Sequence, residues 1–95
     1  MIDLIYNELK QLGAVRTYDQ FSIEWLGMEK SYMRTVRSKQ RQPSAKAIAR
    51  CVARLQQQGN KLIALDRLGY RNAGTRLNKL AEACLSDLLR MHEAR

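Results

Sequence analysis

At 95 residues, 45% hydrophobic and 27% charged, the chain makes one globular domain rather than a disordered segment. No stretch approaches the roughly 18 apolar residues of a membrane span, and the opening MIDLIYNELK, with an acid at position 3, does not read as a signal peptide. The formal net charge of +8 is that of residues 28–61, where nine bases face Glu29 alone; a polyanion-binding surface and a merely solvated basic face both fit it.

Few aromatics, a single proline and an abundance of Leu, Ala, Arg, Lys and Gln favour helix over strand, so the expected fold is all-α with five to six helices. Leu4, Ile5, Leu9 and Leu12 recur at helical spacing and Gly13 follows them, which predicts a first helix over residues 3–12. Its acids, Asp3 and Glu8, argue against its facing phosphates. Thr17 and Gln20 then form a T-x-x-Q capping box that opens a second helix, from Tyr18 to about Leu26. Phe21, Trp25 and one of Ile23 and Leu26 point inward, and Gly27 ends the helix. Trp25 reads as a core anchor in preference to a stacking platform for bases.

A third helix is expected over roughly residues 29–38. Met33, Val36 and the aliphatic part of Glu29 fall on one side of it. Ser31, Arg34, Thr35 and Ser38 line the other, flanked by Lys30, Tyr32 and Arg37. Small side chains allow close approach to a groove, and an arginine among them can reach a guanine edge with two hydrogen bonds. Lys39 to Gln42 make a basic loop, and Pro43-Ser44 closes it, Ser44 capping a fourth helix. Ile48, Cys51, Val52 and Leu55 give that helix an apolar stripe, with Lys46, Arg50 and Arg54 on another side. The run Gln56-Gln57-Gln58-Gly59-Asn60 ends or weakens it.

Residues 26–44, LGMEKSYMRTVRSKQRQPS, resemble the turn, recognition helix and following loop of the helix-turn-helix domains of the phage repressor and Cro superfamily. Gly27 matches the turn glycine, Met33 and Val36 the buried recognition-helix positions, and Pro43-Ser44 the start of the next helix. Counting back from Gly27, the small residue at that family's helix crossing falls on Ile23, with Ser22 beside it. Either the second helix is a residue longer or the crossing is reshaped. The resemblance implies a helix-turn-helix core over 16–58 that binds double-stranded DNA, its third helix in the major groove. Lys30, Ser31, Arg34, Thr35 and Ser38 would face bases. Tyr32, Arg37, Lys39, Arg41, Lys46, Arg50 and Arg54 would hold phosphates. The second helix would cross the groove with Asp19 and Glu24 turned away.

Beyond this core, a short helix is expected over Lys61 to Leu68, an interruption from Gly69 to Gly74, and a last helix capped by Thr75 and running to about His92. Its face of Leu77, Leu80, Ala81, Cys84, Leu85, Leu88, Leu89 and Met91 is wide. Either it completes the core, or Leu77, Leu80, Leu85 and Leu88 join two subunits in a homodimer. Cys51 and Cys84, with no Cys-x-x-Cys, read as buried reduced thiols in a cytoplasmic protein. His92, the only histidine, has no nucleophile or metal partner at motif spacing. No zinc spacing, paired carboxylates or Gly-rich phosphate loop stands in the sequence, so the expectation is no enzyme, no metal, no cofactor and no small-molecule substrate. The leading reading is a small dimeric transcriptional repressor. A helical adaptor or antitoxin-like module that binds an acidic protein, or an RNA binder without sequence preference, are the alternatives.

Overall fold

Each of the first helices is closed by backbone geometry that its terminal residues supply. In the computed structural model, which describes residues 1–65 and 67–93 with side chains to Arg90, α1 spans Ile2–Gln11. It ends where Gly13 takes φ +76°, so that Gly13 N–H donates to the Lys10 carbonyl at 3.1 Å and Ala14 N–H to that of Leu9 at 2.8 Å. The Thr17 hydroxyl accepts from Gln20 N–H at 3.1 Å and caps α2, Tyr18–Glu24. The Gln20 side-chain oxygen in turn accepts from Arg16 N–H at 2.8 Å, one residue earlier than in a strict capping box. Then come α3, Tyr32–Ser38, and α4, Ala45–Ala64, the latter capped by Ser44 accepting from Ala47 N–H at 3.2 Å. The last helix is α5, Leu68–Glu93, and no strand occurs among the described residues. The fold is all-α, as expected.

Four boundaries differ from the sequence expectations by more than a residue. The α3 helix starts at Tyr32 rather than Glu29, and α2 stops at Glu24, leaving Trp25 and Leu26 buried in the turn beyond it. The largest difference is that α4 runs unbroken through Gly59 to Ala64, and α5 begins at Leu68 and passes straight through Gly69 to Gly74. The chain therefore has five helices, the lower of the five to six expected, because the segments foreseen over 61–68 and from 75 onward are taken up by α4 and α5. Two glycines explain this. A Cβ on Gly74 would lie 2.5 Å from the Gly59 carbonyl oxygen, and one on Gly59 would lie 2.9 Å from the Gly74 carbonyl oxygen. The two helices touch backbone to backbone at these positions. Glycine costs about 0.5–1 kcal/mol in a helix interior relative to alanine, but here it permits a close contact that no other residue would.

The α4–α5 pair is an antiparallel hairpin. Asn78 bonds Asn60 at 3.2 Å near the glycine contact, and Cys51 meets Cys84 further along. Both cysteines are free and buried. The neighbouring Cys84 sulfur and then burial itself push the Cys51 thiol far above its ordinary range. With 26 residues at about 1.5 Å of rise each, α5 has a length close to the 41 Å long dimension of the molecule. Leu77, Ala81, Cys84 and Leu88 of α5 enter the core. There they join Ile48, Cys51, Val52 and Leu55 of α4 with Ile5 and Leu9 of α1. Full burial of each large aliphatic side chain contributes about 1.5–3 kcal/mol. Tyr6 of α1 stacks on Tyr18 with ring centres 4.2 Å apart and meets Phe21 edge-on at 5.5 Å, joining α1 to α2.

Burial also corrects the proposed subunit face. Leu77 and Leu88 belong to this chain's own core and Leu80 is half-buried against it, so only Leu85 (38% exposed) remains open of the four expected there. Leu89, 54% exposed, lies one turn from it. The side chains of Met91 and His92 lie outside the described residues.

Candidate nucleic-acid interface

Ser22 organises the junction between α2 and α3. It is the one fully buried polar side chain among the described residues. Its hydroxyl donates to the Tyr18 carbonyl at 2.8 Å and accepts from Met33 N–H at 3.0 Å. Met33 lies in the first turn of α3, where backbone N–H groups lack partners within their own helix. The Ser31 hydroxyl at the N-cap makes no capping bond and instead donates to the Glu29 carboxylate. A donor of α3 is thus satisfied by a side chain of α2, and the two helices are pinned in register. The small residue at the crossing is Ser22, not Ile23, which is 53% exposed.

The chain leaves α2 by a widened turn. Leu26 N–H reaches back five residues to the Phe21 carbonyl at 3.2 Å, a wider loop than an α-helical bond. Met28 N–H then bonds the Ser22 carbonyl at 2.9 Å around Gly27, whose φ is +62°. Positive φ favours glycine at Gly27, and a Cβ there, 2.5 Å from Nη1 of Arg50, would displace that flexible side chain from the turn.

Of the residues expected to face bases, Lys30, Arg34, Thr35 and Ser38 are exposed, and Ser31 is half-buried at the N-cap. Arg34 Nε donates to Asp19 at 2.7 Å. Asp19, an acid expected to turn away from the groove, thus reaches across to the central arginine of α3. The α1 helix takes part too, since Arg37 Nη1 donates to Asp3 at 2.6 Å and its guanidinium lies 4.8 Å from the centre of the Tyr18 ring. Both ion pairs are largely solvated, and such pairs contribute about 0–1 kcal/mol. An incoming phosphate or base edge would displace these carboxylates at small cost.

The residues expected on phosphates divide into two groups. Lys39, Arg41 and Lys46 are exposed, and no ion pair or hydrogen bond engages their charged groups among the described residues. Tyr32, Arg50 and Arg54 have structural work instead. The Tyr32 hydroxyl accepts from Ser44 N–H at 2.9 Å, which ties the start of α3 to the start of α4. Arg50 Nη1 donates to the Gly27 carbonyl at 2.8 Å. Arg54 is half-buried with its guanidinium 5.8 Å from the centre of the Trp25 ring, and bonds Gln57 at 3.1 Å. These three brace the turn and the ends of the helices around it.

The loop after α3 is also set by its backbone. Gln40 adopts φ +52°, the left-handed conformation usually given to glycine at this place. Gln40 N–H donates to the Arg37 carbonyl at 3.1 Å and Arg41 N–H to that of Val36 at 2.9 Å. The loop therefore leaves α3 in one direction, with Lys39 and Arg41 on either side of Gln40. The sequence placed Ser22 beside the crossing but not its bond to Met33 N–H, and it did not point to the two carboxylate partners or to Gln40.

Among the described residues no cluster of His, Cys, Asp and Glu has the makings of a metal site, and no helix is long and apolar enough to cross a membrane.

The chain belongs to a family described as of unknown function (DUF6626), whose model matches residues 2–95. No curated protein and no solved structure matches it.

Proposed function

We propose that this member of the family is a sequence-specific binder of double-stranded DNA, a small dimeric transcriptional repressor that carries α3 into the major groove. The observation that carries the reading is the Ser22 junction. It holds two short consecutive helices in fixed register; the second of them offers Arg34, Thr35 and Ser38 to the outside, and Lys30 stands exposed in the turn just before it. An α-helix fits the major groove, and an arginine flanked by small hydroxyl side chains suits base edges. Lys39, Arg41 and Lys46, exposed and without ion-pair partners among the described residues, are the phosphate contacts of this reading. Arg37 joins them once it releases Asp3. Arg50 and Arg54 act chiefly by bracing the turn. A dimer would form through Leu85 and Leu89, the exposed leucines of α5, and would set two recognition helices about 34 Å apart on a palindromic site.

The test is selection of duplex sequences from a random pool by the full chain, followed by titration of the selected duplex at several salt concentrations. Six to ten phosphate contacts predict a loss of about 10³–10⁵-fold in affinity between 50 and 200 mM salt. Enrichment of no sequence, or a flat salt dependence, overturns the proposal and leaves an acidic protein partner as the better account of the basic surface.

A further inference from the structure

A groove opens between the start of α1, the end of α3 with its loop, and the C-terminal half of α5. Its volume is about 800 Å³, within the range of small-molecule sites. The floor is apolar, made by Met33, Val36, Ile48 and Cys84, all of them buried in the core. The rim is charged and unequal. Arg37 is answered by Asp3 and Arg90 by Asp87, each pair lying on the rim itself. Arg41 also lines the groove and has no ion pair among the described residues. Its backbone is anchored, because Arg41 N–H is bonded to the Val36 carbonyl. An apolar trough with one unanswered guanidinium at its edge has a definite complement.

We propose that this groove binds an amphipathic monoanion, an apolar chain ending in a carboxylate. The chain would lie over Met33, Val36 and Ile48, and the carboxylate would take Arg41. A carboxylate matches the planar fork of a guanidinium with two parallel hydrogen bonds. One negative charge suffices for the guanidinium, because the other two arginines are already paired; Met1 also lines the groove, and its α-ammonium, which acts on Cys84 in the floor, adds to the positive rim. A cation would meet a net positive rim, and a fully apolar ligand would leave Arg41 unused. The inference does not rest on the DNA reading, since Arg41 and the groove are present whatever the basic surface binds.

The test is calorimetric titration of the full chain with decanoate below its micelle concentration, beside decanol and decyltrimethylammonium. Decanoate should bind saturably, one per chain, and decanol and the ammonium compound at least about tenfold more weakly, the ratio expected when a charge-assisted hydrogen bond in a half-open site is lost. Arg41→Gln, a change at an exposed position that leaves the fold alone, should weaken decanoate about tenfold and leave decanol as it was. Ile48→Trp, which fills the floor, should abolish both if the variant folds; circular dichroism checks that it does, and the Arg41 comparison stands if it does not. Equal affinity for decanoate and decanol, an Arg41→Gln variant that binds decanoate as tightly as the parent, or no saturable binding overturns the proposal. A failed DNA titration leaves this result untouched.

Discussion

Replacing Gly74 by alanine adds one methyl group at the point where α4 and α5 touch. In an open helix the change is favourable by about 0.5–1 kcal/mol. Here the new Cβ would stand 2.5 Å from the Gly59 carbonyl oxygen, 2.8 Å from Cγ1 of Ile63 and 3.1 Å from the Ile63 nitrogen. Two of these three neighbours are backbone atoms of another helix, so no rotamer change relieves the clash. The helices have to separate, and the packing of Leu77, Ala81 and Cys84 against α4 loosens with them. Overpacking of this kind costs about 1–3 kcal/mol, so after the helical gain a net loss of roughly 1–2 kcal/mol remains. For a domain of this size that lowers Tm by roughly 5–15 °C. Gly69 is the internal control: it lies in the same helix with nothing within 4 Å of its missing Cβ, so Gly69→Ala should be neutral or stabilising by up to about 1 kcal/mol. Urea denaturation followed by circular dichroism measures both. A Gly74→Ala protein as stable as its parent would refute the close crossing, and with it the reason that α4 and α5 run unbroken.

Ser22→Ala should destabilise by about 1–3 kcal/mol in the same assay, because it strips the partner from a buried Met33 N–H; a loss within error of zero would remove Ser22 from its place at the junction. Gln40→Gly should raise stability by about 1 kcal/mol, relieving the left-handed strain that a side chain bears at φ +52°, and unchanged stability would count against that backbone conformation. Asp19→Asn frees Arg34 from its carboxylate and removes a negative charge facing the proposed groove, so affinity for the selected duplex should rise a few-fold; weaker binding would show that Asp19 positions Arg34 rather than competing for it.

The helices were legible where local chemistry decides them. Thr17-x-x-Gln20, Pro43-Ser44 and the glycines at 13 and 27 each mark an end by capping or by positive φ, and each end lies there to within a few residues. The hairpin was not legible, because glycine has two opposite uses. At Gly13 it terminates a helix by conformation; at Gly59 and Gly74 it keeps the helical conformation and admits a second backbone. Only the neighbour distinguishes these, and the neighbour is distant in the chain. The same applies to the surface of α3. Periodicity selected Arg34, Thr35 and Ser38 as outward residues, and they are exposed. That Arg34 is held by Asp19 and Arg37 by Asp3 depends on partners 15 and 34 residues away, which no local pattern contains. Leu77 and Leu88 show the limit of reading an interface from apolar width, since a wide stripe is also what one helix needs to cover α1 and α4 together.

The central claim, that α3 reads bases, is tested most directly by comparing Arg34→Ala with Lys39→Ala on the selected duplex, on its single-base mismatches and on unrelated DNA. Arg34 stands on the exposed side of α3 and Lys39 in the cap that follows it. The account predicts that Arg34→Ala loses about 1–3 kcal/mol on the selected site and relaxes preference at one base pair. Lys39→Ala should weaken every duplex alike and reduce the salt slope by about one contact. If Arg34→Ala lowers binding to the selected and the unrelated duplex by the same factor, α3 is not the reading helix and the proposed docking is contradicted.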